Sequence, residues 1–310
     1  MKDFVMNFLD ENQEACYAQQ TQQAQNNIFI YLLENDFTNI SKLFIKDCLD
    51  KINQDPNDVL TSITPFLIEK KIDDSELDLC SKSVLNAIRN SQNNDIATII
   101  SKLDNSPSLY KTKIVNLDLG TPAYTNGETN WTGAIDGGGI YTAFDYTIQI
   151  NSNLINQGTK LEIYATTLHE LIHAYFLSLI DDCIASSSNC APLQSFPYLW
   201  EQYVNYINGN SPNVTSSISQ HNELATKYVD IIAAALEEFQ PGLPNQYYKD
   251  MAWGGLDGTI PYENNNPLNR ILTSEDKIRI NKIHQAEALN TPQYNPSGVL
   301  TYFPKGIPCN

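Results

Sequence analysis

Positive charge is scarce in this chain. Its 310 residues include 19 Lys and Arg against 36 Asp and Glu, which leaves a net charge of −17. A protein that binds nucleic acid needs a positive surface to displace counterions from phosphate. The sequence has no cluster of Lys and Arg that would form such a surface, and its overall charge repels polyanions. We therefore expect no DNA or RNA partner.

Long apolar runs are also absent. A membrane-spanning helix needs about 20 consecutive apolar residues, whereas the runs Ile28 to Leu33 and Phe176 to Ile180 are far shorter. The first residues lack the apolar region and small-residue cleavage site of a signal peptide. We expect no membrane partner, and the location stays open between the cytoplasm and export by a non-classical route.

The six cysteines form no C-x-x-C pair, which argues against a thiolate zinc site. Cys183 and Cys190 are spaced so that a disulfide could close a small loop between them. The alternative is that they are buried or free thiols, as in a reducing cytosol. The spacing alone does not choose between the two.

Histidine is rare as well, and two of the four histidines lie in His169-Glu170-Leu171-Ile172-His173. The surrounding residues contain no Gly or Pro, so this H-E-x-x-H motif is expected on a helix. Residues four apart share a helix face, so both imidazoles can reach one metal ion. Glu170 projects about 100° around the helix from His169, where a general base for a bound water belongs.

Catalytic zinc usually takes three protein ligands, and the remaining candidates are His221, Glu223 and His284. A second long helix is predicted from Ser219 to Phe239. On its helical wheel His221 falls in the buried stripe and Glu223 on the exposed face. We therefore predict Zn²⁺ bound by His169, His173 and His221, with Glu223 as the alternative if the helix start is frayed. His284, in a charged terminal helix entered at Ser274, is predicted to be a surface residue.

The chain is predicted to divide into a mostly helical region, 1–106, and an α+β domain, 107–310. Apolar residues recur at helical spacing in the first part. The second opens with alternating segments typical of strands, at 113–119 and 141–151. The motif helix follows at about 159–181, and a short helix is predicted around 198–207. Strands followed by a helix that carries the site indicate an α+β fold.

The strand Tyr146 to Asn151, followed closely by Thr166 to Phe176, resembles the zincin metallopeptidases, most of all their SprT-like branch. The resemblance covers about residues 110–240. It implies a zincin-like domain in which the motif helix packs beside a small sheet whose edge strand lines the substrate cleft. It also implies that His169 and His173 are zinc ligands, that Glu170 is the general base and that His221 is the third ligand. The metzincin continuation is absent, and the gap from His173 to His221 is long.

The expected function is zinc-dependent hydrolysis of a peptide bond in a protein or peptide substrate, with Glu170 as the catalytic residue. One alternative is that the peptidase is a secreted effector or toxin whose helical N-terminal region is an adaptor. The other is a non-catalytic zinc site that stabilises a protein-interaction module. The oligomeric state is left open.

Three further features have more than one interpretation. The residue that stabilises the oxyanion is unassigned, with Tyr228, Tyr247 and Tyr248 as unranked candidates. The strand around Ile148 either holds an extended substrate or is an ordinary internal strand. Residues Trp253 to Gly255 either line the cleft or form a Gly-rich turn beside a packed Trp.

Overall fold

The computed structural model describes residues 9–19, single positions between 25 and 49, and residues 72–104, 110–121, 125–131, 145–185, 190–211, 216–263 and 272–309. Most of the predicted helical region before residue 72 therefore lies outside the described residues. So do residues 141–144 of the second predicted strand. The described part is a helix-rich α+β fold, which confirms the predicted class.

A long buried helix, Lys160–Ala185, carries the H-E-x-x-H motif. Its apolar residues lie on every side of the helix, and Leu161, Leu168, Leu171 and Phe176 are completely buried. A helix that is apolar all round belongs in a core rather than on a surface. This motif helix was predicted at 159–181, and in the structure it runs four residues further.

A three-stranded sheet packs against the motif helix. It consists of β1 (Lys111–Leu117), β2 (Gly127–Trp131) and β3 (Asp145–Asn151), in the order β1-β3-β2. β3 runs parallel to β1 and antiparallel to β2. The strand around Ile148 is therefore internal. The outer strand beside the motif helix is β2, whose polar sequence Gly-Glu-Thr-Asn-Trp had not indicated a strand.

The helices that precede the sheet belong to the same core. α1 (Glu11–Gln19) is followed, after residues outside the description, by α2 (Leu79–Arg89) and α3 (Asn94–Asp104). Both α2 and α3 contact the motif helix, and a single hydrophobic cluster contains described residues from Ile72 to Ala288. Apolar packing therefore crosses the predicted boundary at 106 and 107, and the division into two domains stays a prediction.

The four described helices that come next after the motif helix in the chain all pack against it. A short helix, α4 (Ser152–Gln157), links β3 to the motif helix, which is α5 in chain order. After it come α6 (Ala191–Gln194), α7 (Pro197–Ile207), α8 (Ser217–Lys227) and α9 (Val229–Phe239). The single helix predicted from Ser219 to Phe239 is wrong, because Tyr228 leaves the regular helical conformation with φ −109° and ψ −9°. Its ring packs against Phe176 and Phe196 at this break, so tertiary packing takes precedence over helical periodicity.

The C-terminal part closes over the start of the motif helix. It contains α10 (Asn245–Ala252), α11 (Ile260–Glu263), α12 (Ser274–Leu289) and a small hairpin of β4 (Gln293–Tyr294) and β5 (Leu300–Tyr302). α12 begins at Ser274 as predicted, with a capping box between Thr273 and Asp276. The buried carboxylate of Glu287 accepts hydrogen bonds from the backbone N–H groups of Lys305 and Gly306, which holds the last segment in place.

The described residues include two disulfides. Cys183 and Cys190 are bonded, with their Cα atoms 4.4 Å apart, so the disulfide alternative is confirmed. The second, between Cys80 and Cys309, joins α2 to the C-terminal segment across 229 residues and was not predicted. Among the described residues no helix is both long and apolar enough to cross a membrane.

Candidate metal centre

The structure brings the three predicted histidines together. Nε2 of His169 lies 3.0 Å from Nε2 of His173 and 3.4 Å from Nε2 of His221. One ligand atom from each imidazole lies within 4.8 Å of the others, so the cluster could hold a metal ion. In tetrahedral coordination with metal–nitrogen distances of about 2.0 to 2.1 Å, ligand nitrogens are about 3.3 Å apart. The two short separations are close to that spacing.

A buried glutamine orients one of these rings. Nδ1 of His173 lies 2.7 Å from Oε1 of Gln220, and both side chains are buried. The amide oxygen can only accept a hydrogen bond, so Nδ1 carries the proton and Nε2 presents its lone pair to the cluster. Gln220 precedes His221 on α8, so the same turn of helix supplies a ligand and a support. No pattern in the sequence singled out Gln220.

The surroundings keep all three imidazoles neutral. Burial and the neighbouring His173 and His221 hold the pKa of His169 well below its usual range. Burial, reinforced by the charge of His221, lowers the pKa of His173 to about 3. Burial also lowers the pKa of His221, although Asp257 opposes the shift. Neutral imidazole is the form that binds metals, so at neutral pH no proton has to be displaced.

Glu223 lies outside the cluster, but the prediction that it is exposed is wrong. It is completely buried, and its Oε1 accepts a 2.6 Å hydrogen bond from the backbone N–H of Tyr198 at the start of α7. The helical wheel assumed one buried stripe, whereas α8 is covered by α5, α7 and α11. A carboxylate at the N-terminus of α7 satisfies otherwise unpaired backbone donors.

His284 is not a surface residue, which corrects the prediction. Its Nδ1 lies 3.0 Å from both carboxylate oxygens of Glu162, and its Nε2 lies 3.2 Å from the carbonyl oxygen of Asp250. Burial alone would lower the pKa of His284, but the charge of Glu162, the hydrogen bonds to Glu162 and Asp250 and the charge of Glu287 together outweigh it, and the pKa is raised. The polar residues around His284 in sequence concealed this contact, because it depends on α12 packing across the start of α5.

The cluster opens onto a pocket of about 580 Å³ that extends along the motif helix. The residues that line the pocket include His169 and His221 of the cluster and the Glu162–His284 pair. Trp253 to Gly255 also line it, and the same residues form a turn in which Trp253 is buried against Tyr262, so the structure shows both of the features proposed for that segment. A Cβ at position 254 would lie 2.2 Å from Cε1 of His284, so only glycine permits this close approach.

None of the three candidate tyrosines lines this pocket. The hydroxyl of Tyr248 donates to the carbonyl of Gln240, that of Tyr247 to Glu287, and Tyr228 packs among aromatic rings. Tyr262 does line the pocket, is 5% exposed, and its hydroxyl has no hydrogen-bond partner among the described residues. Burial, with the charges of Asp257 and Glu263, raises its pKa to about 12, so it stays protonated and can donate.

Glu170 lies beside the cluster and is 6% exposed. Its Oε2 accepts a 2.7 Å hydrogen bond from the hydroxyl of Thr129 on β2. Burial raises the pKa of Glu170 to about 7, although the bond from Thr129 opposes the rise and the charge of Glu128 adds to it. A carboxyl group with a pKa near neutrality can both accept and return a proton.

No protein-family model matches the chain, and comparisons with curated proteins and with solved structures give no match either. What the site can do is therefore argued from its geometry. His169, His221, the adjacent carboxyl group of Glu170 and the side chain of Tyr262 line one pocket, and His173 completes the histidine cluster. The site therefore combines three histidines that could hold a metal ion with a carboxyl group that can accept a proton and a tyrosine hydroxyl that can donate a hydrogen bond.

Proposed function

We propose that this protein is a zinc-dependent metallopeptidase with a zincin-like catalytic domain. The observation that carries the proposal is the convergence of His169, His173 and His221 in a cluster that shares a pocket with Glu170. The H-E-x-x-H resemblance supports the same function. The proposed substrate is a protein or peptide.

The donor set fits zinc. Three neutral imidazole nitrogens on two helices are a ligand set that catalytic zinc sites use, with one position left for water or substrate. His169, His173 and His221 would hold the ion, and Gln220 would keep His173 in the tautomer that binds it. When bound, zinc acts as a Lewis acid and lowers the pKa of a coordinated water from about 15.7 to about 7.

The remaining chemistry belongs to side chains of this chain. Glu170 takes a proton from the attacking water and gives it to the leaving amine, a role that its pKa of about 7 suits. Tyr262 donates its hydroxyl hydrogen to the oxygen that becomes negatively charged during attack on the carbonyl. Tyr262 lines the same pocket as His169, His221 and Glu170, which supports this role.

The pocket favours catalysis over a structural role for the metal. Structural zinc sites are normally closed by four protein ligands. Among the described residues the cluster offers three, and it opens onto about 580 Å³ of space. The interaction-module alternative is therefore the weaker one.

The disulfides favour a setting outside the reducing cytosol as a second proposal. Cys80–Cys309 and Cys183–Cys190 are the kind of bond that persists in oxidising compartments. An exported peptidase, the effector alternative included, would have such bonds. This second proposal concerns only the compartment in which the protein acts, and the proposed hydrolysis is the same in either compartment.

Metal removal tests the proposed function. Purified protein would be stripped with a chelator, dialysed, and reconstituted with one equivalent of zinc, and each form incubated with a diverse peptide pool read by mass spectrometry. We expect cleavage products with the native and reconstituted forms and none with the stripped form. Equal cleavage by the stripped and reconstituted forms, or none by any form, would overturn the proposal.

A further inference from the structure

The strand β2 makes a specific contact with the proposed general base. The hydroxyl oxygen of Thr129 lies 2.7 Å from Oε2 of Glu170 and 3.0 Å from the backbone oxygen of the same residue. Thr129 is held in register opposite Ile148 of the central strand. The hydroxyl is therefore fixed by the sheet, while its acceptor lies on the motif helix.

Gly127 allows this contact. It lies two residues before Thr129 and so on the same face of β2. A Cβ at position 127 would lie 2.8 Å from Cγ of Glu170 and 2.8 Å from Cγ2 of Thr166. Real Cβ atoms do not approach other atoms so closely, so the strand packs at this distance only because residue 127 has no side chain. Glu170 is thus confined on one side by a backbone and held on one oxygen by a hydroxyl.

We propose that Thr129 is a positioning residue that holds the carboxyl group of Glu170 in its working orientation, with Gly127 providing the space. The proposal rests on the proposed peptidase function. Thr129 acts through Glu170 and is not proposed to touch the substrate.

This arrangement suits a base that gains and loses a proton in each cycle. Thr129 donates to Oε2, which leaves Oε1 as the oxygen that takes the proton of the attacking water. Oε1 then returns that proton to the leaving amine, and the carboxylate is restored. The hydroxyl of Thr129 stays bonded to Oε2 throughout the cycle, with the backbone oxygen of Glu170 as a second acceptor nearby.

The test compares Thr129→Val, which has nearly the same shape without the hydroxyl, with Thr129→Ser, which keeps it. The matched control is Thr112→Val on β1, because Thr112 is a threonine of the same sheet, is more deeply buried than Thr129, and has a hydroxyl with no partner among the described residues. Steady-state kinetics on a cleaved peptide, zinc content and thermal unfolding would be measured for each variant.

Thr129→Val should lower kcat about 10-fold to 100-fold, the factor that corresponds to a lost hydrogen bond to a charged group. KM and zinc content should change little, Thr129→Ser should recover most of the rate, and Thr112→Val should match wild type. Gly127→Ala should also lower kcat with zinc retained, because the added methyl group would displace Glu170. This second variant tests the positioning of Glu170 if Thr129→Val folds poorly.

Two outcomes separate this inference from the proposed function. If wild type cleaves peptide but Thr129→Val keeps the wild-type kcat, or Thr129→Ser is no better than Thr129→Val, the positioning role is wrong and the peptidase function stands. If zinc-loaded wild type cleaves nothing, the peptidase function fails and the positioning role fails with it.

Discussion

Replacing Gln220 with Leu should weaken metal binding without unfolding the protein. The change keeps the approximate size of the side chain but removes the acceptor that lies 2.7 Å from Nδ1 of His173. The Nδ1–H would then be buried without a partner, which costs about 1 to 3 kcal/mol. This corresponds to a loss of zinc affinity of about 5-fold to 150-fold, in line with the 10-fold to 100-fold typical of lost outer-shell partners.

The pH dependence of zinc affinity distinguishes two effects of Gln220: orienting the ring of His173, and changing how strongly protons compete with zinc for that ring. The pKa of His173 is lowered to about 3, so the ring is neutral from pH 6 to pH 8 with or without Gln220. The affinity ratio between wild type and Gln220→Leu should therefore be constant over that range. Gln220→Glu, which keeps an acceptor, should bind zinc at least as tightly as wild type.

Competition with a chromophoric zinc chelator measures these affinities. An affinity of Gln220→Leu equal to that of wild type would refute the role of Gln220 in orienting His173. A ratio that changes steeply between pH 6 and pH 8 would refute the neutral state of the ring.

Three further changes test other parts of the structure. Tyr262→Phe should lower kcat by about 100-fold with zinc content unchanged, and full activity in peptide-cleavage assays would exclude the hydroxyl as oxyanion donor. The raised pKa of His284 means that its pair with Glu162 stabilises the fold below the unfolded-state pKa and loses that contribution as pH rises through the folded-state pKa. The difference in unfolding free energy between wild type and His284→Gln, measured in urea, should therefore become smaller as the pH rises. A difference that stays constant from pH 5 to pH 9 would contradict this. Cys80→Ser, which removes the disulfide to Cys309, should lower the free energy of unfolding by about 2 to 5 kcal/mol. A thermal midpoint equal to that of wild type under non-reducing conditions would contradict this.

Local periodicity accounts for the parts of the site that the sequence revealed. His169 and His173 share a helix face because they are four residues apart, a relation that no distant contact alters. His221 lies in the cluster, as predicted, although the argument assumed an unbroken helix and an exposed Glu223, and its role as a zinc ligand stays a prediction. The helix is broken at Tyr228 and Glu223 is buried, because aromatic packing and the start of α7 act on this segment from elsewhere in the chain.

The features that were missed depend on contacts between distant segments. β2 has too polar a sequence to be recognised as a strand, and it exists through its pairing with β3. The partly buried position of His284 accompanies its pairing with Glu162, which is 122 residues away. Tyr262 enters the pocket because α11 packs on α8, where the backbone N–H of Ile260 donates to Asn222. A single sequence has no local signal for such contacts.

Glu170→Gln tests the central claim most directly, because it removes the proposed base and leaves the three histidines intact. Zinc content and peptide cleavage would be measured on wild type and on the variant, purified and loaded identically. We predict one zinc per chain in both proteins, and cleavage at least 100-fold slower in the variant. Cleavage at the wild-type rate by Glu170→Gln, or a wild-type protein that binds no zinc, would contradict the account.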